Sequence, residues 1–545
     1  MRRALALLAT TALSVAFLSL PAAASEVPEE FGSDWDDPRT AVKPVDKPKT
    51  ESCEVELVDH SFDDSEPVKG EFKPPTGCGQ EWSKIVLRLE GKVKGRQYDR
   101  LGQLTIGGVP VFKTSTPEPS PEGIAWTQEK DLSGYAALLS SGHDTEMTLG
   151  NVVDDTYTGV LDVRVSLTFY ATDAQHPRAS AADTVLPLRD TGTDGADLTG
   201  KLRTPRNTER LLADVYATGS GGGCEEFWYL AAPTDSGYDC ESGSGPYREV
   251  QVLIDGQLAG VAAPYPHVYT GGWSNPFLWY TLPAPRTFDL RPITYDLTPY
   301  LGALNDGDSH EIRVHVAGVD PDSKGWSTPV ALRGWQDEGS RVVKGGLMDD
   351  DTTRPVNDVH RSNDDGAESV RVEAEHSHTA TGWLATSHGA VMTTVKRTVG
   401  MSSTHSWGPG QHPDELSASL TDTQTRSVLA GDGVASERTV QREFGLDGRV
   451  DVDADNRLST KIEMSDAKKV TTAGASGDRE RYRVRDTYSG EASFYLDVPR
   501  GDRHAKGVSK HRYRVSGDAP CYDRTIATQN GYVVRETERC RTAVG

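Results

Sequence analysis

The sequence has few features of a helical or membrane-spanning protein. No helix-forming hydrophobic pattern exceeds about three turns, and no internal repeat is present. One apolar run, Ala4 to Leu20, approaches the length of a membrane span, and no second one follows. Arg2 and Arg3 precede this run, and small residues follow it at 21–25, which is typical of a secretory signal peptide at 1–24. We therefore expect an exported protein without a membrane segment after cleavage.

Basic residues are also fewer than acidic residues. The chain has 58 Lys and Arg against 81 Asp and Glu, a formal net charge of −23. Because such a surface repels phosphate backbones, we expect no nucleic-acid partner. Neutral sugars and peptides remain compatible with this charge, and we expect a monomer.

Motifs for cofactors and metals are missing. There is no nucleotide-binding glycine loop and no G-x-S-x-G motif, so no cofactor is expected. His376 and His378 lie near acidic residues but have no third ligand at a suitable spacing. The acidic run 451–455 lacks the glycine and the final glutamate of a calcium loop. We expect no metal site.

The six cysteines fall into three pairs that are close in sequence. No C-x-x-C spacing is present, which argues against zinc, and an even count in an exported chain favours disulfides. Nearest-neighbour pairing is the simplest connectivity. It predicts the disulfides Cys53–Cys78, Cys224–Cys240 and Cys521–Cys540.

Short stretches of alternating apolar and polar residues dominate from Cys53 onward. Residues 161–170 (LDVRVSLTFY) and 311–316 (EIRVHV) are typical of strands with one buried face, and turn residues separate such stretches. This pattern predicts an all-β protein of layered antiparallel sheets. We expect two adjacent jelly-roll-like sandwiches, at 51–175 and 183–345, and a further β-rich region at 350–545. Residues 25–50 are charged and proline-containing, which predicts a flexible leader.

Two segments carry candidate chemistry. Asp99 and Arg100 follow a predicted strand within GRQYDR, and Glu225 and Glu226 follow Cys224 within CEEFWY. A surface ion pair is the commoner outcome for residues such as Asp99 and Arg100. Adjacent glutamates on a strand point to opposite faces, so one of them is expected to be desolvated beside the aromatic residues. A solvated edge is the alternative for both.

Longer stretches resemble the peptide N-glycosidase A family. These are GRQYDRLGQLTIGGVPVFKTSTPEP, IAWTQEKDLSGY, NVVDDTYTGV, CEEFWY, YTGGWSNPFLWY and FDLRPITYDLTPYL, in that order along the chain. The resemblance implies hydrolysis of the amide between asparagine and the proximal N-acetylglucosamine, giving aspartate and a glycosylamine. It also implies N-linked glycoproteins and glycopeptides as substrates.

The more distant peptide N-glycosidase F suggests where the site lies. That enzyme has its site between two jelly rolls, with an Asp-Arg pair on the first and a glutamate after a cysteine on the second. Asp99 with Arg100 resembles the first feature, and Glu226 resembles the second. A third acidic residue would fall within 151–155, where this chain has no glutamate.

The resemblance and the chemistry of amides suggest a role for each residue. An unstrained amide needs a base for water and a partner for the departing nitrogen. We expect Asp99 as the base, Glu226 as the acid or sugar-orienting group, and Arg100 to polarise the amide or orient Asp99, with Glu225 as the alternative to Glu226. The expected sugar-binding aromatics are Trp126, Trp228, Trp273 and Trp279. Core packing is the alternative for each of them.

Two other functions compete with the amidase. A secreted glycoside hydrolase of the endo-N-acetylglucosaminidase type also uses two carboxylates, but it leaves one sugar on an intact asparagine. An inactive glycan-binding sandwich would bind sugar and release nothing.

Overall fold

The computed structural model describes residues 30–220, 224–320, 323–431, 433–474 and 478–540. The predicted signal peptide lies outside these residues. Three groups of antiparallel strands follow one another along the chain, and helix is confined to one short α-helix and seven single 3₁₀ turns among the described residues. The predicted all-β class is confirmed.

The first group is a jelly roll of eight strands. Alternation of buried and exposed residues, as in the eighth strand, gives each sheet one face toward the core. The two four-stranded sheets have the orders β1-β8-β3-β6 and β2-β7-β4-β5, the strand orders of a jelly roll. The strands are β1 Ser52–Phe62, β2 Val68–Phe72, β3 Trp82–Val93, β4 Leu101–Ile106, β5 Val109–Ser115, β6 Ile124–Asp131, β7 His143–Leu149 and β8 Leu161–Ala171.

The second group repeats this topology with additions. One sheet has the order β16-β12-β19-β9 and the other β10-β11-β17-β14-β15, with the short pair β13 and β18 beside them. Without β10 and that pair, the order is again that of a jelly roll. The strands are β9 Thr184–Pro187, β10 Arg189–Asp194, β11 Asp197–Leu202, β12 Thr208–Val215, β13 Thr218–Gly219, β14 Glu249–Ile254, β15 Gln257–Ala262, β16 Ile293–Asp296, β17 His310–Ala317, β18 Trp326–Ser327 and β19 Val330–Gln336. Helix α1 spans Leu301–Leu304.

The third group is one antiparallel sheet of eleven strands, here called the C-terminal sheet. Its strands pair in sequence order from β22 to β30, and β20 and β21 both pair with β22. β20 begins at Lys344, ahead of the predicted start of this region. The strands are β20 Lys344–Thr352, β21 Val356–Asp364, β22 Ala367–Thr386, β23 Gly389–Trp407, β24 Asp414–Ala430, β25 Gly433–Val452, β26 Arg457–Gly474, β27 Arg479–Tyr495, β28 Lys506–Gly517, β29 Tyr522–Gln529 and β30 Tyr532–Arg539.

The inner face of the C-terminal sheet covers the second jelly roll. Buried and exposed residues alternate along β22, so one face of this strand is removed from water. Glycines allow close approach: a Cβ on Gly382 would overlap the backbone of Pro299, and a Cβ on Gly490 would lie 3.0 Å from the Leu278 side chain. The C-terminal sheet and the rolls therefore share one hydrophobic core.

All six cysteines form disulfides, in the three predicted pairs. Cys521–Cys540 closes the β29–β30 hairpin, and Cys224–Cys240 closes a loop of the second roll. A disulfide that closes a loop reduces the conformational freedom of the unfolded chain.

The predicted flexible leader is wrong for the residues from 30 onward. Phe31 and Trp35 are buried, and the Trp35 ring stacks on Tyr280 with centroids 3.9 Å apart. The Phe31 N–H donates to the Ala505 carbonyl of the C-terminal sheet at 2.9 Å. Most residues of this segment are charged or polar, which is why the sequence predicted a flexible leader. The burial of two aromatic side chains is nevertheless favourable enough to hold the segment against the rest of the protein.

Candidate active site

Asp99 lies in the loop between β3 and β4 of the first roll, and it is half-buried. Burial raises the pKa of this carboxyl to about 6, although its own backbone amide, the charge of Arg100 and the backbone of Gly271 oppose the shift. A carboxylate with this pKa is mostly ionised at neutral pH yet basic enough to accept a proton.

Arg100 is held by a neighbouring amide. Its Nε and Nη2 donate to Oε1 of Gln97 at 3.1 and 2.5 Å, and its backbone N–H donates to Thr116 Oγ1 at 2.9 Å. The positive charge of this guanidinium opposes the rise in the pKa of Asp99 that burial causes. The Asp99 loop is therefore tied to the segment that follows β5.

Glu226 comes from the second roll, in the loop that follows β13, two residues after the disulfide residue Cys224. Burial, and then the charge of Asp99, raise the pKa of this carboxyl to about 7. The structure thus brings together Asp99 and Glu226, two acids from different sandwiches that are close enough for their charges to interact.

Glu118 is a third acid at this place, and the sequence interpretation did not assign it a role. Burial and the charge of Asp99 raise the pKa of Glu118 well above its usual range, against the charges of Arg500 and Arg96. It follows β5 between Pro117 and Pro119, and proline cannot donate to a sheet ladder. The proline-flanked glutamate within TSTPEP was the available signal.

Gly271 explains how a backbone loop approaches these acids. A Cβ at this position would lie 3.0 Å from Glu118 Oε1 and 3.5 Å from Asp99 Oδ1. The distance between Glu118 Oε1 and Asp99 Oδ1 therefore cannot exceed the sum of these two distances. The absence of a side chain at Gly271 lets the loop pass close to both acids without crowding Glu118.

The loop that carries Gly271 rests on the C-terminal sheet. The indole of Trp273 fills the space above Gly448, where any Cβ would overlap it, and Thr460 Oγ1 donates to the Trp273 carbonyl at 3.3 Å. Asn275 Nδ2 donates to the Ala492 carbonyl at 3.0 Å. Trp273 has a φ of 58°, a left-handed conformation that the surrounding contacts must hold.

Two buried polar groups beside Glu226 lack partners in the described chain. The Tyr229 hydroxyl and the Trp273 indole N–H are buried without a hydrogen bond of normal geometry among the described residues, although they are near enough for Trp273 to lower the pKa of Tyr229. The charge of Glu226 adds to burial in raising the pKa of Tyr229. Because unsatisfied buried polar groups are rare in proteins, these two are candidates for contacts with a polar ligand.

Glu225 does not join this cluster, which corrects its assignment as a substrate-binding alternative to Glu226. It is 4% exposed, and its oxygens accept from Arg248 Nη2 at 2.7 Å, Arg248 Nε at 2.9 Å and Trp326 Nε1 at 2.5 Å. This buried ion pair satisfies the carboxylate and anchors the loop that presents Glu226.

The predicted sugar-binding tryptophans also require correction. Their exposures are 4% for Trp126, 2% for Trp228, 5% for Trp273 and 0% for Trp279. Trp126 fills the space above Gly91, and the Trp279 ring stacks on Tyr488. These rings have no free face for a pyranose, so the packing alternative holds for them.

The two acids of the segment 151–155, Asp154 and Asp155, are exposed, unlike the acids of the cluster. Asn151 is buried, and its Nδ2 donates to the carbonyls of Phe62 at 2.8 Å and Gly159 at 3.0 Å. Asp154 Oδ1 accepts the N–H groups of Thr156 and Tyr157, both at 2.7 Å. Both residues organise a turn.

The side chains that could together hold a metal ion lie outside the acid cluster. Within the described ranges, the one group of three potential ligand side chains is Glu209, Asp337 and His388, none of them in the acid cluster. His376 instead contacts Glu249, with Nδ1 2.9 Å from both carboxylate oxygens. No helix of the described residues is long and apolar enough to cross a membrane.

Comparisons with known proteins agree on one family. The family model for peptide N-acetyl-beta-D-glucosaminyl asparaginase amidase A matches residues 41–336, more than half of the chain. A peptide-N4-(N-acetyl-beta-glucosaminyl)asparagine amidase A from Prunus dulcis is 30% identical over 383 residues, which cover 64% of this chain and 66% of that protein. The match thus spans slightly less than two thirds of the relative.

A solved structure of a peptide-N(4)-(N-acetyl-beta-D-glucosaminyl) asparagine amidase is also similar. It matches 52% of this chain and 96% of its own, with 13% identity and a TM-score of 0.34, values too low to add to the fold described above. The family match covers both jelly rolls and the loops that carry Asp99, Glu118, Glu226 and Gly271. The chain belongs to the peptide N-acetyl-beta-D-glucosaminyl asparaginase amidase A family.

Proposed function

We propose that this protein is an exported peptide N-glycanase. It hydrolyses the amide between asparagine and the proximal N-acetylglucosamine of N-linked glycoproteins and glycopeptides, releasing a glycosylamine and leaving aspartate. The observation that carries this proposal is the meeting of Asp99 and Glu226, from two sandwiches, with pKa values of about 6 and about 7. The signal-peptide pattern and the three disulfides support export to an oxidising compartment.

The two pKa values suit opposite halves of an amide hydrolysis. Asp99, with the lower pKa, accepts a proton from water as the water oxygen attacks the side-chain carbonyl carbon of asparagine. Glu226, with the higher pKa, donates a proton to the nitrogen as the carbon–nitrogen bond breaks. The proton on Asp99 then returns to Glu226 through solvent, which restores both groups.

Glu118 and Arg100 support this chemistry. Burial and the charge of Asp99 raise the pKa of Glu118 well above its usual range, which favours the neutral form, and in that form Glu118 donates a hydrogen bond toward the amide oxygen, where negative charge develops. Arg100 keeps Asp99 ionised through its charge. No cofactor takes part in these steps.

The proposal is tested by mass spectrometry of both reaction products. The purified protein is incubated with one defined N-glycopeptide, and we expect a peptide carrying aspartate together with the complete glycan. A peptide that retains one N-acetylglucosamine on asparagine would instead identify an endo-glycosidase. Glycan binding without any product would identify a binding protein.

Matched variants connect the product to the site. We expect Asp99→Asn to lower turnover by about 10²- to 10⁴-fold while its circular dichroism spectrum stays that of the wild type. Asp59→Asn, at an exposed position on strand β1 of the same roll, is the control and should retain activity. Full activity of Asp99→Asn would remove this residue from the mechanism.

A further inference from the structure

An aromatic pair, with one ring exposed and the other half-buried, borders the acid cluster. Tyr98, next to Asp99 in sequence, is 46% exposed, and its ring centroid lies 4.9 Å from that of Tyr157. Val152 and Val153 in the loop of Tyr157 are 48% and 37% exposed. An apolar group of this kind at the edge of a polar site is typical of a binding surface.

The two loops that carry this pair are joined to each other. Gln97 Nε2 donates to the carbonyls of Val152 at 2.8 Å and Gly159 at 3.2 Å, and Gln97 Oε1 accepts the N–H of Tyr98 at 3.0 Å. The Gly159 N–H donates to the Arg96 carbonyl at 2.9 Å. The pair is therefore preorganised, which lowers the entropic cost of binding.

Two arginines connect the pair to the acids. The guanidinium carbons of Arg96 and Arg100 lie 5.6 and 5.9 Å from the centroid of the Tyr157 ring. The charge of Arg96 also acts on Glu118, and that of Arg100 acts on Asp99. The aromatic rings, the two guanidinium groups and the carboxylates are therefore neighbours in the first roll.

We propose that Tyr98 and Tyr157 form a pyranose-binding platform for the second sugar of the glycan, counted from the scissile nitrogen. This proposal rests on the proposed function. A pyranose has an apolar C–H face that matches an aromatic ring, and a rim of hydroxyls that accept hydrogen bonds from guanidinium groups. The tryptophans predicted to form such a platform are buried, whereas Tyr98 is exposed and Tyr157 is half-buried.

A peptide is a poorer match for the platform. Extended peptides bind by adding to an unpaired backbone edge. Here the backbone groups are used within the loops: the Asp154 N–H donates to the Tyr157 carbonyl at 2.9 Å, and the Arg100 carbonyl accepts from Thr116 at 3.1 Å. Ring faces and side-chain donors are what the surface presents.

The test compares two glycopeptides that have the same peptide with blocked termini. In one, the asparagine carries a single N-acetylglucosamine, and in the other it carries two N-acetylglucosamines joined by a β1,4 linkage. We expect Tyr98→Ala and Tyr157→Ala each to raise KM about tenfold for the disaccharide substrate, with kcat unchanged, and to leave the single-sugar substrate unaffected. Tyr98→Phe and Tyr157→Phe retain the ring face and should keep KM within about twofold.

Tyr482→Ala is the matched control. Tyr482 is a partly exposed tyrosine of the C-terminal sheet, and Lys468 Nζ lies 5.9 Å from its ring centroid. Removal of the Tyr482 ring should leave the KM of both substrates unchanged. Equal losses on both substrates in the platform variants would mean that the tyrosines hold peptide and would overturn the proposal. Unchanged KM on both substrates would also overturn it.

A binding measurement separates this proposal from the proposed function. The free disaccharide of N-acetylglucosamine is titrated into the wild type and into the platform variants by calorimetry. Binding that depends on the tyrosines supports the platform even if the wild type releases no glycan, in which case the proposed function alone fails. Glycan release with disaccharide binding that is independent of both tyrosines overturns the platform alone, and a wild type that neither binds nor releases overturns both.

Discussion

The rate of amide hydrolysis should depend on pH as a narrow bell. The proposed mechanism needs Asp99 ionised and Glu226 protonated, and their pKa values are about 6 and about 7. Activity therefore rises with pH as Asp99 loses its proton, and it falls as Glu226 loses its own. The maximum of kcat/KM should lie near the midpoint, at about pH 6.5.

The two pKa values also set the width of the bell. For pKa values of about 6 and about 7, about 60% of the enzyme is in the active form at pH 6.5 and about 9% at pH 5 or pH 8. We therefore expect kcat/KM to fall about sevenfold over 1.5 pH units on either side. Because the two groups interact, the values read from the limbs belong to the pair.

The assay uses a glycopeptide with blocked termini and no ionisable side chain, so both limbs belong to the enzyme. Glu226→Gln should lower the maximum and remove the alkaline limb while the acidic limb remains. Circular dichroism at each pH checks that the fold persists. An unchanged alkaline limb in this variant, or a wild-type rate that is flat from pH 5 to pH 8, would refute the assignment of base and acid.

Two further predictions concern the groups that position the site. Arg248→Met leaves Glu225 buried without its cation and should cost about 3–5 kcal/mol in the free energy of unfolding, measured by denaturant titration. The double variant with Glu225→Gln should recover part of this loss, and an equal or larger loss would contradict the ion-pair explanation. Gly448→Val displaces the Trp273 indole and should lower kcat/KM about tenfold or more. Gly445→Ala, whose Cβ meets the Ser465 hydroxyl, is the control, and equal activity of the two variants would separate the C-terminal sheet from the site.

The C-terminal sheet contributes to the site although it lies beyond the matched family region. Trp273 and Asn275 anchor the loop of Gly271 to β25, β26 and β27, and the charge of Arg500, between β27 and β28, acts on Glu118. The sequence interpretation assigned these residues to a β-rich region without a role. Its contacts suggest that this region holds the Gly271 loop in place.

Much of the fold could be predicted because strands are local. Alternation within 161–170 and 311–316 corresponds to strands β8 and β17, and the cysteine pairs that are close in sequence are the disulfides of the structure. The leader could not be predicted in the same way. Phe31 and Trp35 are two aromatic residues in a charged segment, and their partners lie hundreds of residues away in the C-terminal sheet and the second roll.

The sequence by itself identified Asp99 and Glu226 as candidates for the chemistry, since GRQYDR and CEEFWY contain them and resemble one family. Only the tertiary structure decided which acids meet. Glu225 and Glu226 are neighbours in the chain, yet Arg248 and Trp326 bind the first, while the charge of Asp99 raises the pKa of the second. The physical reason is that the pKa and exposure of a side chain depend on burial and on charges brought from distant segments, and local pattern contains neither.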